Sequence, residues 1–382
     1  MNAFTGFVLE DLYNQVESQI KHDLSAATMP AMSLNDLLAF YPSKSSTQEQ
    51  FIEKLLNTPL SYSTQYGSEI VRESIITNLY SSSSLDLSNL ILTSGASEAI
   101  FLVMSTMLEA GDSIIVQQPI YQSLYQIAAD RGIQVIDWDL RDNHWDINQL
   151  EDLIKKHPQV KALVINNPNN PTGLGFKREE LKQITSLLDG RYLISDEVFL
   201  FISQSHLASA LEVYENSIVI SDLSKSFNMP GLRLGWITTS LNVLEQYSSL
   251  KNYLSLRTNT LSETIAPWVL EKHAEISAKN RSLIRSSIEH LYSLDPEDLL
   301  FDLSQIPQDS IEGLCIFPKL KAQYADFDFQ KLLDDQGIFV AKGENFGENW
   351  RKYLRVGVAA LELSLLDKAD IYKFSYEHQR QN

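Results

Sequence analysis

At positions 221–236 the chain reads SDLSKSFNMPGLRLGW, directly after the largely apolar run Ser217–Ile220, which is typical of a buried strand. Lys225 stands between two serines in the predicted loop, and Arg233 follows eight residues later in a turn flanked by Gly231 and Gly235. A lysine amine in such a loop can hold a carbonyl carbon as a Schiff base, and a planar guanidinium can bind phosphate. The stretch therefore predicts a site for a ligand that carries both a carbonyl group and a phosphate.

The pattern of apolar residues around this stretch predicts an α/β fold. Short apolar runs alternate with helical patterns from residue 90 onwards, which indicates a mostly parallel central sheet with helices on both faces. Ligands bind such sheets at the carboxyl ends of the strands. The predicted strands include residues 90–92, 114–116, 135–136, 162–165, 192–194, 218–220 and 234–237, and the predicted helices include residues 97–108, 121–130 and 179–188.

A different pattern after residue 270 predicts a second, smaller α+β domain. We expect an N-terminal arm and part of the small domain in residues 1–45, a large ligand-binding domain in 46–272, and the C-terminal small domain in 273–382. A chain of 382 residues suits two domains.

Composition narrows the possible partners and locations. The net charge of -18 argues against nucleic acid and anionic membrane as partners. A single cysteine, Cys315, excludes an internal disulfide. No stretch reaches the roughly 20 apolar residues of a membrane span, and no positive charge precedes Lys21, so we expect no signal peptide and a cytoplasmic location. The spacing of the seven histidines predicts no metal site.

Other polar residues lie where they can contact pyridoxal 5'-phosphate (PLP), an aldehyde with a phosphate group and an electron-accepting ring. Asp196 ends a predicted strand and can pair with the ring nitrogen, although a strand-end aspartate is often only a cap. Asn170, within Asn167–Gly173, can bond the ring oxygen or simply serve a turn. Ala96 and Ser97 open a predicted helix, where backbone N–H groups can hold phosphate or make an ordinary N-cap.

The joint order of these residues with Lys225 and Arg233 resembles the fold-type I PLP enzymes of the class I/II aminotransferase family, over almost the whole chain. The resemblance implies that Lys225 is the Schiff-base lysine and proton carrier. It also implies that Asp196 pairs with the pyridine nitrogen, that Asn170 bonds the ring oxygen, and that Tyr121 stacks on the ring. The phosphate would be held by Ala96, Ser97 and Arg233. Tyr121 taken alone would more often be a core aromatic.

The same resemblance assigns two further residues. Arg355, in the run Tyr353–Gly357, matches the arginine that binds the α-carboxylate of an amino-acid substrate, although by itself it could be a surface charge. Tyr62, five residues before Gly67, matches a tyrosine that reaches a phosphate in the neighbouring subunit. The resemblance thus implies a homodimer with shared active sites.

Three positions depart from the family pattern. Phe199 replaces a tyrosine whose phenol would bond the ring oxygen of the cofactor. Asp222 stands where a serine or threonine usually touches the phosphate, and an anion there is unfavourable unless it is paired or turned away. The segment Leu24–Thr28 lacks the usual glycine of a loop that covers the substrate.

Within the family, the chain looks most similar to capreomycidine synthase and the enduracididine-forming enzymes, which cyclise hydroxylated arginine. The matching residues are Leu9–Asp11, Asp23–Ser25, Ser97–Ala99, Pro119–Tyr121, Phe199 and Asn252–Leu256. A guanidinium requires an acidic partner, and the candidates are Glu10 and Asp11, with Thr28 as a neighbour. The expected function is cyclodehydration of hydroxyarginine, with the γ-hydroxy isomer favoured and the β-hydroxy isomer as an alternative.

Two other functions stay open. A plain PLP-dependent aminotransferase would use the same lysine and arginines and would exchange nitrogen with a keto acid. A non-catalytic ligand sensor on this fold is the third reading and ranks last, since such sensors usually carry a fused basic DNA-binding module and the chain shows none.

Overall fold

The N-terminal part of the chain is a set of short helices around one short strand. The computed structural model describes residues 4–42, 46–80, 85–141, 143–204, 207–325 and 327–359. The sequence showed no clear pattern over the first 40 residues, yet two α-helices and a strand lie there. The elements are α1 (Val8–Val16), β1 (His22–Asp23), α2 (Leu34–Leu38), α3 (Ser46–Leu56) and α4 (Glu69–Leu79).

A seven-stranded sheet forms the centre of the molecule, in the order β2-β8-β7-β6-β5-β3-β4. Strand β8 runs antiparallel to both of its neighbours, and the other adjacent pairs are parallel. The prediction of a mostly parallel sheet is therefore confirmed. The strands are β2 (Leu90–Thr93), β3 (Ser113–Gln118), β4 (Gln134–Asp139), β5 (Ala162–Asn166), β6 (Tyr192–Asp196), β7 (Ser217–Asp222) and β8 (Gly235–Thr239).

Helices cover both faces of this sheet because successive strand side chains point to opposite sides. On β3, Ile114 and Val116 pack in one core cluster with α5 and α6, whereas Ile115 packs in another with α7 and α8. The prediction of helices on both faces of the sheet is thus confirmed. Helix α7 was not predicted from the sequence. These helices are α5 (Ala96–Thr106), α6 (Ser123–Asp130), α7 (Ile147–Lys156), α8 (Arg178–Ser186), α9 (Leu244–Lys251) and α10 (Thr260–Glu271).

The C-terminal part combines one long helix with short strands. Its core cluster also includes Leu24, Ala27 and Met29, and β1 pairs in parallel with β12, so the N-terminal arm packs here. Residues 360–382 of the predicted small domain lie outside the described residues, and the proposed domain limits stay predictions. The elements are α11 (His273–Ser293), β9 (Phe301–Asp302), β10 (Cys315–Ile316), β11 (Lys319–Leu320), α12 (Phe329–Gln336), β12 (Ile338–Phe339), β13 (Ala341–Lys342) and β14 (Leu354–Gly357).

The described residues include neither a membrane-spanning helix nor a cluster of metal-ligating side chains. None of the helices described is long and apolar enough to cross a bilayer. Over the same residues, no group of three or more His, Cys, Asp or Glu side chains is placed to hold a metal ion.

Candidate active site

A cavity of about 510 Å³ opens at the carboxyl ends of β5, β6 and β7, where an α/β sheet is expected to bind its ligand. The sheet supplies one wall, and helix α1, the segment after β1 and strand β14 supply the other. The lining residues are Leu9, Glu10, Tyr13, Asn14, Glu17, Asp23, Ala26, Ala27, Thr28, Ala96, Ser97, Ile100, Tyr121, Asn166, Asn170, Asp196, Val198, Phe199, Asp222, Ser224, Lys225, Pro230, Arg233 and Arg355. Every site residue predicted from the sequence except Tyr62 and Asp11 is in this set.

Lys225 and Asp196 form the electrostatic centre of the cavity. Burial lowers the pKa of the Lys225 amine below its ordinary value, and the nearby Asp222 carboxylate partly opposes this effect. Asp196 is buried and accepts a hydrogen bond of 3.1 Å from the backbone N–H of Val198. Burial raises the pKa of Asp196 to about 7, and the Asp222 charge adds to the rise. The cavity therefore holds a lysine with a lowered pKa near a carboxyl group with a raised pKa.

Arg355 provides an incompletely paired cation at the opposite wall. Only 4% of its surface is exposed. Its Nη1 donates to Oδ1 of Asn170 at 3.2 Å, and its Nη2 lies 3.5 Å from the hydroxyl of Tyr13. Its buried Nε has no hydrogen-bond partner within the described part of the chain. Since a buried guanidinium is stable only when paired, Arg355 is arranged to bind an anion that enters the cavity.

A second anion site lies where α5 begins. Gly95 has a φ of +82°, and a Cβ atom there would lie 2.3 Å from Nη2 of Arg233. The close approach places the guanidinium directly against the first turn of α5, beside the backbone of Ala96 and the exposed Ser97. A helix N-terminus and an arginine together favour a phosphate group.

Glu10 brings a negative charge to the mouth of the cavity. It lies on α1, and its Oε1 accepts a hydrogen bond of 3.1 Å from the hydroxyl of Tyr121. Burial, and then the Glu10 charge, raise the pKa of Tyr121 above its usual range. Thr28 also lines the cavity. Asp11 points elsewhere, because its Oδ2 lies beside Gly6 and the residue does not line the cavity.

Tyr13 and Asp23 are site residues that the sequence reading missed. The Tyr13 hydroxyl donates to Oδ2 of Asp23 at 2.7 Å, and burial raises the pKa of Tyr13 to about 12. Oδ1 of Asp23 accepts from the backbone and the hydroxyl of Ser25, both at 2.8 Å. This chain of contacts fixes the phenol next to Arg355. The signal was the spacing of Tyr13 three residues after Glu10, which places both on one face of a helix.

Phe199 and Tyr62 complete the list of predicted residues. Phe199 is 1% exposed and lines the cavity, so its ring offers an apolar surface and no hydrogen-bond donor. Tyr62 is 81% exposed and does not line the cavity of its own chain. Its contact with a phosphate in a second subunit stays a prediction.

The residues present fit PLP. Lys225 is available for the aldehyde, Asp196 for the ring nitrogen, and the start of α5 with Arg233 for the phosphate, all around one cavity. Asp222 is the discordant group, since its Oδ2 lies 3.4 Å from the backbone nitrogen of Ala96, at the predicted phosphate position.

Comparisons with known proteins agree with this geometry. The family model for aminotransferases of class I and II matches residues 44–369. A probable N-acetyl-LL-diaminopimelate aminotransferase of Bacillus subtilis is 27% identical over 296 residues, 75% of this chain and 74% of the relative. A histidinol-phosphate aminotransferase of Thermoanaerobacter pseudethanolicus is 27% identical over 281 residues, 72% of this chain and 74% of the relative.

Solved structures give the same result. The crystal structure of a PLP-dependent aminotransferase from Streptococcus suis superposes with a TM-score of 0.87 at 27% identity, over 99% of both chains. Members of the matching family use PLP. The chain belongs to the class I and II aminotransferase family.

Proposed function

We propose that this protein uses PLP to act on an amino acid with a cationic side chain, and that its reaction is the dehydrative cyclisation of a hydroxylated L-arginine. The observation that carries the substrate class is the position of Glu10. Its carboxylate lines the same cavity as Lys225 and is near enough to raise the pKa of that lysine. A carboxylate held there by the Tyr121 hydroxyl is suited to a guanidinium.

The two ends of the substrate would be bound by opposite charges. Arg355 would bind the α-carboxylate through the N–H groups of its η nitrogens that Asn170 and Tyr13 do not use. Glu10 would bind the guanidinium with Thr28 beside it. Binding at both ends holds the reacting atoms close together, which favours a reaction within one molecule. The substrate α-carbon would then lie over the cofactor site between these residues.

Proton transfer would be the task of Lys225. When bound, PLP supplies an aldehyde for the substrate amine and a ring that accepts an electron pair. The lowered pKa of Lys225 suits its Nζ to take the α-proton. The raised pKa of Asp196, about 7, favours a shared proton between its carboxylate and the ring nitrogen.

The proposed cyclisation balances without an oxidant. The carbon–oxygen bond to the substrate hydroxyl breaks, water leaves, and a bond forms between that carbon and a guanidine nitrogen, which gives up a proton. A γ-hydroxyl gives a five-membered, enduracididine-like ring, and a further β-proton must leave and return. A β-hydroxyl gives a six-membered, capreomycidine-like ring. The similarity at Leu9–Asp11 and the apolar Phe199 support this reaction.

Transamination is the second candidate. It is favoured by the relatives of this chain, which carry the names of aminotransferases. It would use the same Lys225 and Arg355, and it would need a keto acid as the acceptor of the amino group.

Product analysis separates the two reactions. Purified, PLP-loaded protein is incubated with β- and γ-hydroxyarginine in the absence of a keto acid, and the products are analysed by mass. Loss of one water with all nitrogen retained supports cyclisation. Reaction only after a keto acid is added, with a keto-acid product, refutes cyclisation and supports transamination.

A pair of neighbouring variants tests the substrate class. Glu10→Gln should raise KM by roughly 10- to 150-fold, since a hydrogen bond to a charged group contributes about 1.5–3 kcal/mol, while PLP binding stays unchanged. Asp11→Asn is the matched control, because Asp11 lies on the same helix but does not line the cavity. An unchanged KM in Glu10→Gln would remove Glu10 from the substrate site.

A further inference from the structure

The Asp222 carboxylate lies inside the predicted phosphate site. It ends strand β7 and is 5% exposed. Its Oδ1 accepts the backbone N–H of Ser224 at 2.8 Å, and its Oδ2 accepts the Ser224 hydroxyl at 2.7 Å. Oδ2 also lies 3.4 Å from the backbone nitrogen of Ala96. The carboxylate therefore occupies donors that a phosphate oxygen would need.

The contact with Ala96 exceeds what a turn requires. An aspartate that only closes a turn accepts the N–H two residues later, and Asp302 does this with Ser304 at 2.8 Å on the surface. Asp222 makes the same bond through Oδ1, but its second oxygen faces the first turn of α5. That helix end favours any anion, and a carboxylate and a phosphate cannot both occupy it without repulsion.

The charges around Asp222 favour the carboxylate when no phosphate is present. The charge of Asp222 raises the pKa of Lys225, which indicates attraction between the two. Asp196, at the end of the adjacent strand, is the like charge that faces it. The guanidinium of Arg233 lies at the same helix end and is exposed, so it can pair with whichever anion is bound.

We propose that Asp222 competes with the phosphate of PLP for the start of α5. Bound PLP therefore dissociates into solution more readily than it would if the residue at this position were uncharged. The competition acts on the phosphate group alone, whereas the effect of Asp222 on the pKa of Lys225 acts on PLP and pyridoxal alike. Comparing PLP with pyridoxal, which lacks the phosphate, therefore isolates it.

The test is an equilibrium titration of the cofactor-free full-length chain, followed by cofactor absorbance. PLP and pyridoxal are each titrated into the wild type, Asp222→Asn and the matched control Asp302→Asn. We expect Asp222→Asn to tighten PLP binding about tenfold relative to pyridoxal, as expected when a like charge beside a phosphate is removed. The control should leave the ratio unchanged.

A second variant and a second ligand keep the test decisive if Asp222→Asn misfolds. Asp222→Ser offers a hydroxyl in place of the carboxylate and should shift the ratio in the same direction. Inorganic phosphate, used as a competitor of PLP, should bind either variant more tightly than the wild type. An unchanged or lowered ratio in folded Asp222→Asn or Asp222→Ser would overturn the proposal. None of these measurements depends on which reaction the enzyme catalyses.

Discussion

Replacing Arg355 with lysine tests the proposed α-carboxylate site directly. The guanidinium has five N–H groups. One donates to Asn170 and a second lies near the Tyr13 hydroxyl, which leaves one N–H on each η nitrogen for a ligand, besides the buried Nε. Two parallel hydrogen bonds to a carboxylate require a planar fork that lysine lacks. Losing one charge-assisted bond costs about 1.5–3 kcal/mol, so Arg355→Lys should weaken binding of an α-amino acid by roughly 10- to 150-fold.

The assay compares two ligands that differ only in that carboxylate. Arginine and its decarboxylated form, agmatine, are titrated into the PLP-loaded enzyme, and the absorbance of bound PLP reports occupancy. Arg355→Lys should weaken arginine binding and change agmatine binding less than twofold. The matched control is Arg131→Lys, whose guanidinium donates to the carbonyl oxygens of Met104 and Leu108 outside the cavity. Equal losses for the two ligands would refute the assignment.

Three further predictions concern stability and cofactor binding. Asp196 has a pKa raised from 3.8 to about 7, so the stability of the wild type falls as pH rises through this window. In urea unfolding, the stability gain of Asp196→Asn over the wild type should grow between pH 4 and pH 8, up to about 4 kcal/mol. A gain that shrinks as pH rises would contradict this. Gly173→Ala should lower the free energy of unfolding by about 2–4 kcal/mol, because its Cβ would lie 1.9 Å from the Cys315 carbonyl oxygen at a φ of +72°. Gly190→Ala, at a φ of +78° with open space around it, should lose only about 1 kcal/mol. Both losses are measured by thermal unfolding, and equal losses would show that the clash at Gly173 is relieved. Tyr62→Phe should weaken PLP about 5- to 10-fold relative to pyridoxal if its hydroxyl bonds a phosphate in a second subunit, and an unchanged ratio would exclude that contact.

The sheet and the cofactor side of the cavity could be predicted because local sequence encodes both. Buried parallel strands are short and apolar throughout, and polar residues that follow them, such as Asp196 and Lys225, must meet at one edge. Helix boundaries were less accurate. The helix predicted from Tyr121 begins at Ser123, and Tyr121 instead precedes the helix and contacts Glu10. A contact between residues so far apart in sequence has no local signal.

The other wall of the cavity depended on tertiary structure. Helix α1 is too short to be stable alone, and it forms because Leu9 and Val16 pack against residues of the large sheet and its helices. The arrangement of Tyr13 and Asp23 beside Arg355 follows from that packing. The spacing in the sequence places Tyr13 on one helix face with Glu10 but does not reveal its contact with Arg355. Helix α7 was a different omission, since its cap at Asp146 and the apolar spacing of Leu150 and Ile154 were present in the sequence.

The origin of the two cavity walls has a consequence for how specificity can change. The groups suited to hold the cofactor come from strand ends and from α5, whereas Glu10, Tyr13 and Thr28 come from a stretch of fewer than 30 residues at the start of the chain. Substitutions in that stretch can alter which side chain is accepted and leave the strands that face the cofactor intact. The chemistry and the choice of substrate are therefore separable within one gene, and exchange of the arm between relatives is a direct route to new substrates.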